Sequence, residues 1–433
     1  MSVLKFVIAT AFSSAALTTQ LVGAPIPTAH SIDPVVQWNQ TLLAIVRTPG
    51  AQPATIHPTR SFAILHAAIY DAVNAIDRTH ESYAIKISGV SRQASQAAAA
   101  DAAAHDVLVA LYPQLTSTLG ATLQQALALV DDGAGKTEGI HVGQAVAQAI
   151  LSLRSNDGAT QAPLPYVFGV APGDYQSTPP NFPKQPQFTH WRNVTPFALK
   201  KADQFRPGPP PALTSDRYGD DVNEVQSLGV VGSTTATPDE ALTGRFWNGA
   251  IQNYWNEIAQ TASLDRQLTI AQKARLFALL NLSFADSVIA FYDAKYTYNR
   301  WRPVTAIRAA GSVDNPDATP DASWLPEVVN TAPDPAYPGA HAVISAAAAA
   351  VLVAVLHRDR LDFDVTSEVL PGATRSFATI SAAADEATQS RIFAGVHFRN
   401  DLTSGQRLGR DIAEFVLDQF LTRRHGDGED NVR

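Results

Sequence analysis

The chain has 433 residues, of which 45% are hydrophobic and 17% are charged, so it can bury a large core and is not an intrinsically disordered protein. Its formal net charge of -8 argues against general nucleic-acid binding, because that function needs a clustered excess of basic residues. The sequence has no cysteine, which excludes disulfides, thiolate metal sites and cysteine nucleophiles.

The N-terminus has the pattern of an export signal. Lys5 precedes a mostly apolar stretch over residues 6–22, and small residues up to Ala24 suit signal-peptidase cleavage. We therefore predict a signal peptide over residues 1–24 and a secreted or periplasmic protein. The other long apolar run, residues 342–356, is rich in alanine and shorter than the roughly 20 residues that a membrane span needs. We interpret it as a buried core helix and expect no membrane span in the mature chain.

The first half of the chain reads as a series of helices. Apolar residues recur at three- and four-residue spacing over residues 35–46, 61–76, 93–111, 119–130 and 139–153. From residue 159 to 211 prolines become frequent, which predicts a long loop. This loop divides the chain into an N-terminal helical half, residues 25–215, and a C-terminal helical half, residues 216–433.

Helical patterning resumes in the second half. Thr237-Pro238-Asp239-Glu240 has a capping threonine, a proline at the first helical position and a glutamate three residues after the threonine, and predicts a helix through residue 259. Further helices are predicted over residues 268–301, 341–357 and 401–420. The predicted fold class is all-α, with helical bundles that share one core.

Three short motifs in the second half carry chemistry. In the first, Lys295 and Arg302 are seven residues apart, which would put both on one face of the predicted helix. Two cations on one face repel each other unless an anion lies between them, and guanidinium and ammonium groups both bind oxyanions. The alternative is a solvated basic face that also includes Arg300 and Arg308.

The second motif, Tyr337-Pro338-Gly339-Ala340-His341, opens the alanine-rich helix. Amide groups at a helix N-terminus favour negative charge, and a histidine there can exchange protons near neutral pH. The alternative is a capping or core histidine.

The third motif contains Arg391, His397 and Asp401. Arg391 and His397 are six residues apart and would meet only if the chain turned near Gly395. Asp401, four residues after His397, can accept one imidazole N–H and fix the tautomer. The alternative is an ordinary salt-bridged helix start.

The three motifs together resemble the signature of the superfamily that joins vanadium-dependent haloperoxidases and type 2 phosphatidic acid phosphatases. That signature reads Lys-x6-Arg-Pro, Pro-Ser-Gly-His and Ser-Arg-x5-His-x3-Asp, and the resemblance covers mainly residues 240–420. The residues around the motifs, such as Trp301-Arg302-Pro303 and Gly395-Val396-His397, are more similar to the soluble, bacterial-type haloperoxidase branch.

The resemblance implies a buried oxyanion pocket and a role for each motif residue. Five positions would hold the oxygens of the oxyanion: Lys295, Arg302, Arg391, Gly339 and Ala340. His397 would be the single ligand of the central atom, Asp401 would orient it, and His341 would be the acid–base residue on the opposite side. Lys295 would also polarise a bound peroxide.

Two departures from the family pattern stand out. Gly339-Ala340 replaces the family's Ser-Gly, so a serine hydroxyl is missing, and a lost charge-assisted hydrogen bond is worth roughly 1.5–3 kcal/mol. Seven residues before His341, Asp334 stands where chloroperoxidase-like members have an aromatic residue. An acid near the halide path predicts poor chloride oxidation.

The resemblance implies a vanadium-dependent haloperoxidase, with vanadate as cofactor and with hydrogen peroxide, a halide and a small organic substrate as partners. Phosphate would compete for the pocket. The alternative is an acid phosphatase of the same superfamily, which would hydrolyse a phosphate ester through a phosphohistidine. A third hypothesis is a non-enzymatic oxyanion binder. The motifs do not separate the two enzymes, but the soluble character, the long N-terminal half and the local sequence favour the haloperoxidase. An oligomer is left open.

Overall fold

A computed structural model describes residues 33–424 of the chain. These residues form thirteen α-helices and one hairpin of two antiparallel strands, which is the sole sheet in this range. The all-α prediction is confirmed. The predicted signal peptide, residues 1–24, lies outside the described residues, so export stays a prediction.

The first half contains five α-helices, each close to a predicted one. They are α1 (Pro34–Arg47), α2 (Pro58–Asp77), α3 (Gln96–Leu111), α4 (Thr116–Leu127) and α5 (Ala134–Leu153). Proline occupies the first turn of α1 and α2, and the Asp33 side chain accepts hydrogen bonds from the first amides of α1. Helices α3 and α5 pack closely. Glycine at position 143 permits this, because a Cβ atom there would lie only 2.3 Å from the Ala99 carbonyl oxygen.

The second half contains eight α-helices and the hairpin. The helices are α6 (Asp216–Leu228), α7 (Pro238–Phe246), α8 (Ile251–Asp265), α9 (Ile270–Tyr298), α10 (Pro303–Arg308), α11 (Ala340–Leu356), α12 (Ile380–Phe393) and α13 (Arg399–Gln419). The hairpin strands are β1 (Arg360–Thr366) and β2 (Thr374–Thr379). Helices α6, α10 and α12 and the hairpin were not among the predicted elements.

The predicted helix from Thr237 to residue 259 is wrong in one respect, because it is broken into α7 and α8. Its start is as predicted, since Thr237 and Glu240 form a reciprocal capping box. Helix α7 ends at Phe246, whose carbonyl oxygen accepts hydrogen bonds from the hydroxyls of Tyr254 (2.9 Å) and Ser367 (2.8 Å). These two hydroxyls satisfy the last carbonyl group of α7, which has no partner within the helix, so the backbone can leave the helical path there.

Helix α9 forms the centre of the core. Within residues 33–424 it is the one helix long and apolar enough to cross a membrane, but nearly all of its apolar stretch is buried inside the protein. One hydrophobic cluster joins Ile69 of α2, Phe284 of α9 and Val351 of α11, so the two predicted halves share a core. The division at residue 215 stays a prediction.

The proline-rich segment wraps around the C-terminal end of α9. Residues 154–215 contain no α-helix, as expected of a loop. The Tyr175 amide donates to the Asn299 carbonyl oxygen at 2.6 Å, and the Trp301 amide donates to the Gly173 carbonyl oxygen at 2.9 Å. The segment is therefore held against the chain that carries the first motif.

Candidate active site

The three motifs meet at one buried place. Lys295 lies in the last turn of α9, Arg302 directly precedes α10, and His341 is the second residue of α11. Arg391 lies in the last turn of α12, and His397 lies in the connection to α13. All are buried except His341, which is half-buried. The structure thus brings together the predicted site residues.

Lys295 and Arg302 do not share a helix face, contrary to the prediction. Helix α9 ends at Tyr298, Asn299 adopts a left-handed conformation with φ 49°, and Arg302 is extended. Pro303 disfavours helical geometry at the residue before it, and here it starts α10. The two cations meet because both contact Asp334.

Asp334 occupies the place between the two cations. Its Oδ1 atom lies 3.0 Å from the Lys295 Nζ atom and 2.5 Å from the Arg302 Nη2 atom. Burial acts to raise the pKa of Asp334, but the two cations outweigh burial and hold that pKa below its ordinary value. Its second oxygen accepts a hydrogen bond from the Gln187 side chain at 2.7 Å.

The donors of Lys295 and Arg302 are largely used by the chain itself. Lys295 also donates to the carbonyl oxygens of Pro335 and Ala336. Arg302 donates to the carbonyl oxygens of Asp334 (2.8 Å) and Val396 (2.9 Å). Burial lowers the pKa of Lys295 to about 8, although Asp334 acts in the opposite direction.

Arg391 is the cation of the site that has no carboxylate partner among residues 33–424. Its Nη2 atom donates to the Asn248 side chain at 3.0 Å, but its Nε and Nη1 atoms are buried and have no partner among residues 33–424. Burial, followed by the charge of Arg302, lowers the pKa of Arg391. A buried donor left unpaired costs about 1–3 kcal/mol. These donors fit an oxyanion, which would satisfy both.

His397 has one ring nitrogen engaged by an acid. Its Nδ1 atom lies 3.1 Å from the Asp401 Oδ2 atom, which also accepts the Phe398 amide at 3.0 Å. Nδ1 therefore carries the proton, and the lone pair on Nε2 points to Arg302, whose Nη1 atom is 3.1 Å away. Burial and the nearby cations hold the pKa of His397 well below its ordinary value. The ring is neutral.

A sharp turn brings His397 back to Arg391, as predicted. Gly395 has φ 76°, and a Cβ atom there would lie 2.2 Å from the Gly229 carbonyl oxygen. Both the left-handed backbone and the close approach require glycine. The Val396 amide donates to the Arg391 carbonyl oxygen at 3.1 Å and closes the turn.

His341 faces the break between α7 and α8. Its Nε2 atom lies 2.8 Å from the Trp247 carbonyl oxygen, so Nε2 carries the proton of the neutral ring. Burial and the charge of Arg391 lower the pKa of His341 well below its ordinary value, against the opposing effect of the Trp247 and Gly249 carbonyls. His341 is thus a neutral base whose pKa depends on the charge beside it.

The start of α11 offers main-chain donors. The Gly339 amide donates to the Asp401 carbonyl oxygen at 3.0 Å, so it is already engaged, unlike the predicted role for this position. Ala340 and His341 are the first helical residues, and no side chain caps this end of α11. Ala340 is therefore the better main-chain candidate of the predicted pair.

Some groups at the site could not be found from the motifs. Gln187, Trp247 and Asn248 lie outside all three motifs, and no spacing in the sequence marks them. The sequence marks Asp334 by its position seven residues before His341, but it does not predict that Asp334 pairs with both cations. Within residues 33–424, no group of three or more His, Asp or Glu side chains could hold a metal cation. The donor set instead suits an anion.

Comparison with known proteins agrees with the motifs. Residues 275–426 match the family model described as the VCPO second helical-bundle domain. A curated relative, vanadium chloroperoxidase of Curvularia inaequalis, is 24% identical over 403 residues, which is 74% of this chain and 65% of that protein. The chain thus spans somewhat less than two thirds of that relative's length.

Solved structures show the same fold over most of the chain. The first bacterial vanadium-dependent iodoperoxidase to be solved is similar with a TM-score of 0.75 and 26% identity, covering 90% of this chain and 97% of that one. A holo-type bacterial vanadium-dependent chloroperoxidase is similar in fold, with a TM-score of 0.64 and 16% identity over 85% of this chain and 93% of that one.

Proposed function

We propose that this chain, a member of the vanadium haloperoxidase superfamily by its fold and motifs, oxidises halide with hydrogen peroxide at a bound vanadate. Two donor atoms of Arg391 have no partner among the described residues, and they lie in the same buried site as the Nε2 atom of His397; this observation carries the proposal. A tetrahedral oxyanion with a central atom that accepts a nitrogen ligand uses both features.

Different residues of the site would bind different atoms of vanadate. His397 would ligate vanadium through Nε2, because Asp401 keeps the proton on Nδ1 and leaves the lone pair on Nε2. That lone pair accepts a hydrogen bond from Arg302 Nη1, which ligation would replace. Arg391 and the Ala340 amide would donate to oxygens. When bound, vanadate supplies a Lewis acid that activates hydrogen peroxide towards halide.

His341 would move the proton. Hydrogen peroxide must lose a proton as it binds, and a neutral imidazole can accept it. The carbonyl oxygens of Trp247 and Gly249 favour the charged ring, whereas Arg391 disfavours it. An anion at Arg391 offsets that repulsion, so anion binding raises the pKa of His341 and makes it a stronger base when it is needed.

Asp334 bears on the choice of halide. A buried carboxylate beside Lys295 and Arg302 lowers the positive potential that would attract a halide ion. We expect chloride to be the poorest of the halide substrates, and a small organic compound to receive the halogen.

The test measures two reactions on one sample. Bromide-dependent halogenation with hydrogen peroxide is followed with and without added vanadate, beside hydrolysis of a phosphate ester without vanadate. We expect vanadate-dependent halogenation. Ester hydrolysis alone would instead support the phosphatase, in which His397 attacks phosphorus and His341 protonates the leaving oxygen. If neither reaction occurs, both enzymatic functions are wrong.

A further inference from the structure

We propose that Asp334 is a built-in counter-ion, through which the site favours a singly charged tetrahedral oxyanion over a doubly charged one. The inference deepens the proposed function and rests on it, because it concerns the charge of the anion that the same site accepts. It makes Asp334 a residue that determines specificity.

The contacts of Asp334 are those of a bound anion. Its carboxylate bridges Lys295 and Arg302, at 3.0 Å and 2.5 Å, and Asp334 as a whole is only 4% exposed. Gln187 holds the other carboxylate oxygen at 2.7 Å, so both oxygens are fixed. Two of the three cations predicted to bind the oxyanion are therefore already neutralised in part by the chain.

The charge balance of the site leaves room for one negative charge. The buried cations are Lys295, Arg302 and Arg391, and the buried carboxylates facing them are Asp334 and Asp401. His397 is neutral, because its Nδ1 atom faces Asp401 while its Nε2 atom accepts a hydrogen bond from Arg302. The neutral ring of His341 needs only one proton to donate to the Trp247 carbonyl oxygen. One positive charge therefore remains uncompensated. Behind Asp401 lie Arg300 and Asp221. Burial, followed by the charge of Asp401, raises the pKa of Asp221 to about 7, so Asp221 offsets the charge of Arg300 only in part at pH 7.

The position of the free donors agrees with this balance. Among the three cations, the buried donor atoms that lack a partner within residues 33–424 belong to Arg391. The donors of Lys295 and Arg302 contact Asp334, main-chain carbonyl groups and the His397 ring. An anion at Arg391 would meet one unpaired cation. A second negative charge would face the Asp334 carboxylate without a further free cation.

Perrhenate and molybdate provide a direct test, because they are tetrahedral oxyanions of similar size with one and two negative charges. Their affinities for the full-length protein are measured by calorimetry at pH 7. We expect the wild type to bind perrhenate more tightly than molybdate. In Asp334→Asn, each anion charge loses a repulsive partner, and we expect a gain of up to roughly tenfold for perrhenate and up to roughly 100-fold for molybdate. The pKa of Lys295 falls when Asp334 no longer raises it, which reduces both gains at pH 7 by a similar factor. The ratio of the two affinities thus shifts about tenfold towards molybdate.

Two variants serve as controls. Asp157→Asn removes a buried carboxylate that is paired with Arg60 and Arg154 outside the site, so it should leave the ratio unchanged. Asp334→Glu keeps the charge and should keep the preference for perrhenate. A general loss of stability would not move the ratio in the direction expected for Asp334→Asn.

The outcomes separate this inference from the proposed function. If neither anion binds, or if Arg391→Met does not weaken both, the oxyanion site itself is wrong. If both bind in an Arg391-dependent way but the ratio is unaffected by Asp334→Asn, the counter-ion role is overturned. If Asp334→Asn does not fold, a wild type that prefers molybdate overturns it by itself.

Discussion

Replacing Arg391 by methionine should have opposite effects on the anion-free protein and on anion binding. The Arg391 guanidinium is buried, two of its donor atoms have no partner among the described residues, and its one side-chain partner is Asn248. Methionine keeps a flexible apolar side chain of similar length and removes the charge. The substitution therefore separates the effect of Arg391 on the free energy of unfolding from its effect on anion affinity.

The magnitudes follow from the contacts. Each unpaired buried donor costs about 1–3 kcal/mol, and replacing buried charge by a well-packed apolar side chain can stabilise a protein by about 1–4 kcal/mol. Against this stands the lost hydrogen bond to Asn248, so we expect Arg391→Met to stabilise the anion-free protein by about 1–3 kcal/mol. Loss of two charge-assisted hydrogen bonds should weaken vanadate binding by roughly 100-fold or more.

Urea unfolding with and without vanadate measures both effects. A ligand at about 100 times its dissociation constant stabilises the native state by about 2.7 kcal/mol, and the variant should lose most of that increment. Arg154→Met is the matched control, because Arg154 is buried but donates to Asp157 and to the carbonyl oxygens of Thr195 and Pro196. It should destabilise the protein by about 1–3 kcal/mol for each buried acceptor left without its donor, whereas Asp157 keeps its pairing with Arg60. The reasoning is refuted if Arg391→Met destabilises the protein as much and leaves vanadate affinity intact.

Four other outcomes are expected. His397→Ala should abolish both halogenation and stabilisation by vanadate, and unchanged activity would contradict both enzymatic functions. His341→Ala should retain most vanadate affinity while steady-state turnover falls roughly 100-fold, since it removes the acid–base group; equal turnover would show that His341 moves no proton. Gly339→Ser should raise vanadate affinity up to about tenfold, because the serine hydroxyl adds a donor. The new Cβ atom would lie 3.0 Å from the Leu402 side chain, which must move slightly. A vanadate titration with no gain would place the hydroxyl outside the site. Perrhenate affinity should fall as the pH rises through about 8, because the pKa of Lys295 is lowered to about 8 and the ammonium charge is lost above that pH. Lys295→Arg should make the pH profile flatter, since arginine stays charged. A flat wild-type profile would disprove a contribution of the Lys295 charge.

The helix boundaries that sequence could predict are those with a local signal. The capping box at Thr237 and the prolines that start α1 and α2 depend on neighbouring residues alone. The turn at Gly395 is marked by the glycine itself, although the close approach of Gly229 also requires glycine there. The break after Phe246 has no such signal. It depends on Tyr254 and Ser367, whose hydroxyls reach the end of α7 from other elements.

The site divides in the same way. The motifs predicted which residues converge, because His397 and Asp401 are neighbours on the chain and the resemblance supplied the rest. The pairing of Asp334 could not be predicted, since it depends on a fold that turns Arg302 off the helix and brings in Gln187 from 147 residues away. Electrostatic balance at the site is a property of such long-range contacts, which no spacing in the sequence reports.

The wrapping of the proline-rich segment has a consequence for protein engineering. A polypeptide that began at residue 216 would carry all three motifs, yet it would lack Gln187 and the α2 side chains that cover α9. Its central helix would be stripped of apolar cover, and its carboxylate would lose the amide that fixes one oxygen. The region that contains the motifs is therefore smaller than the unit that must be expressed or recombined if the activity is to be retained.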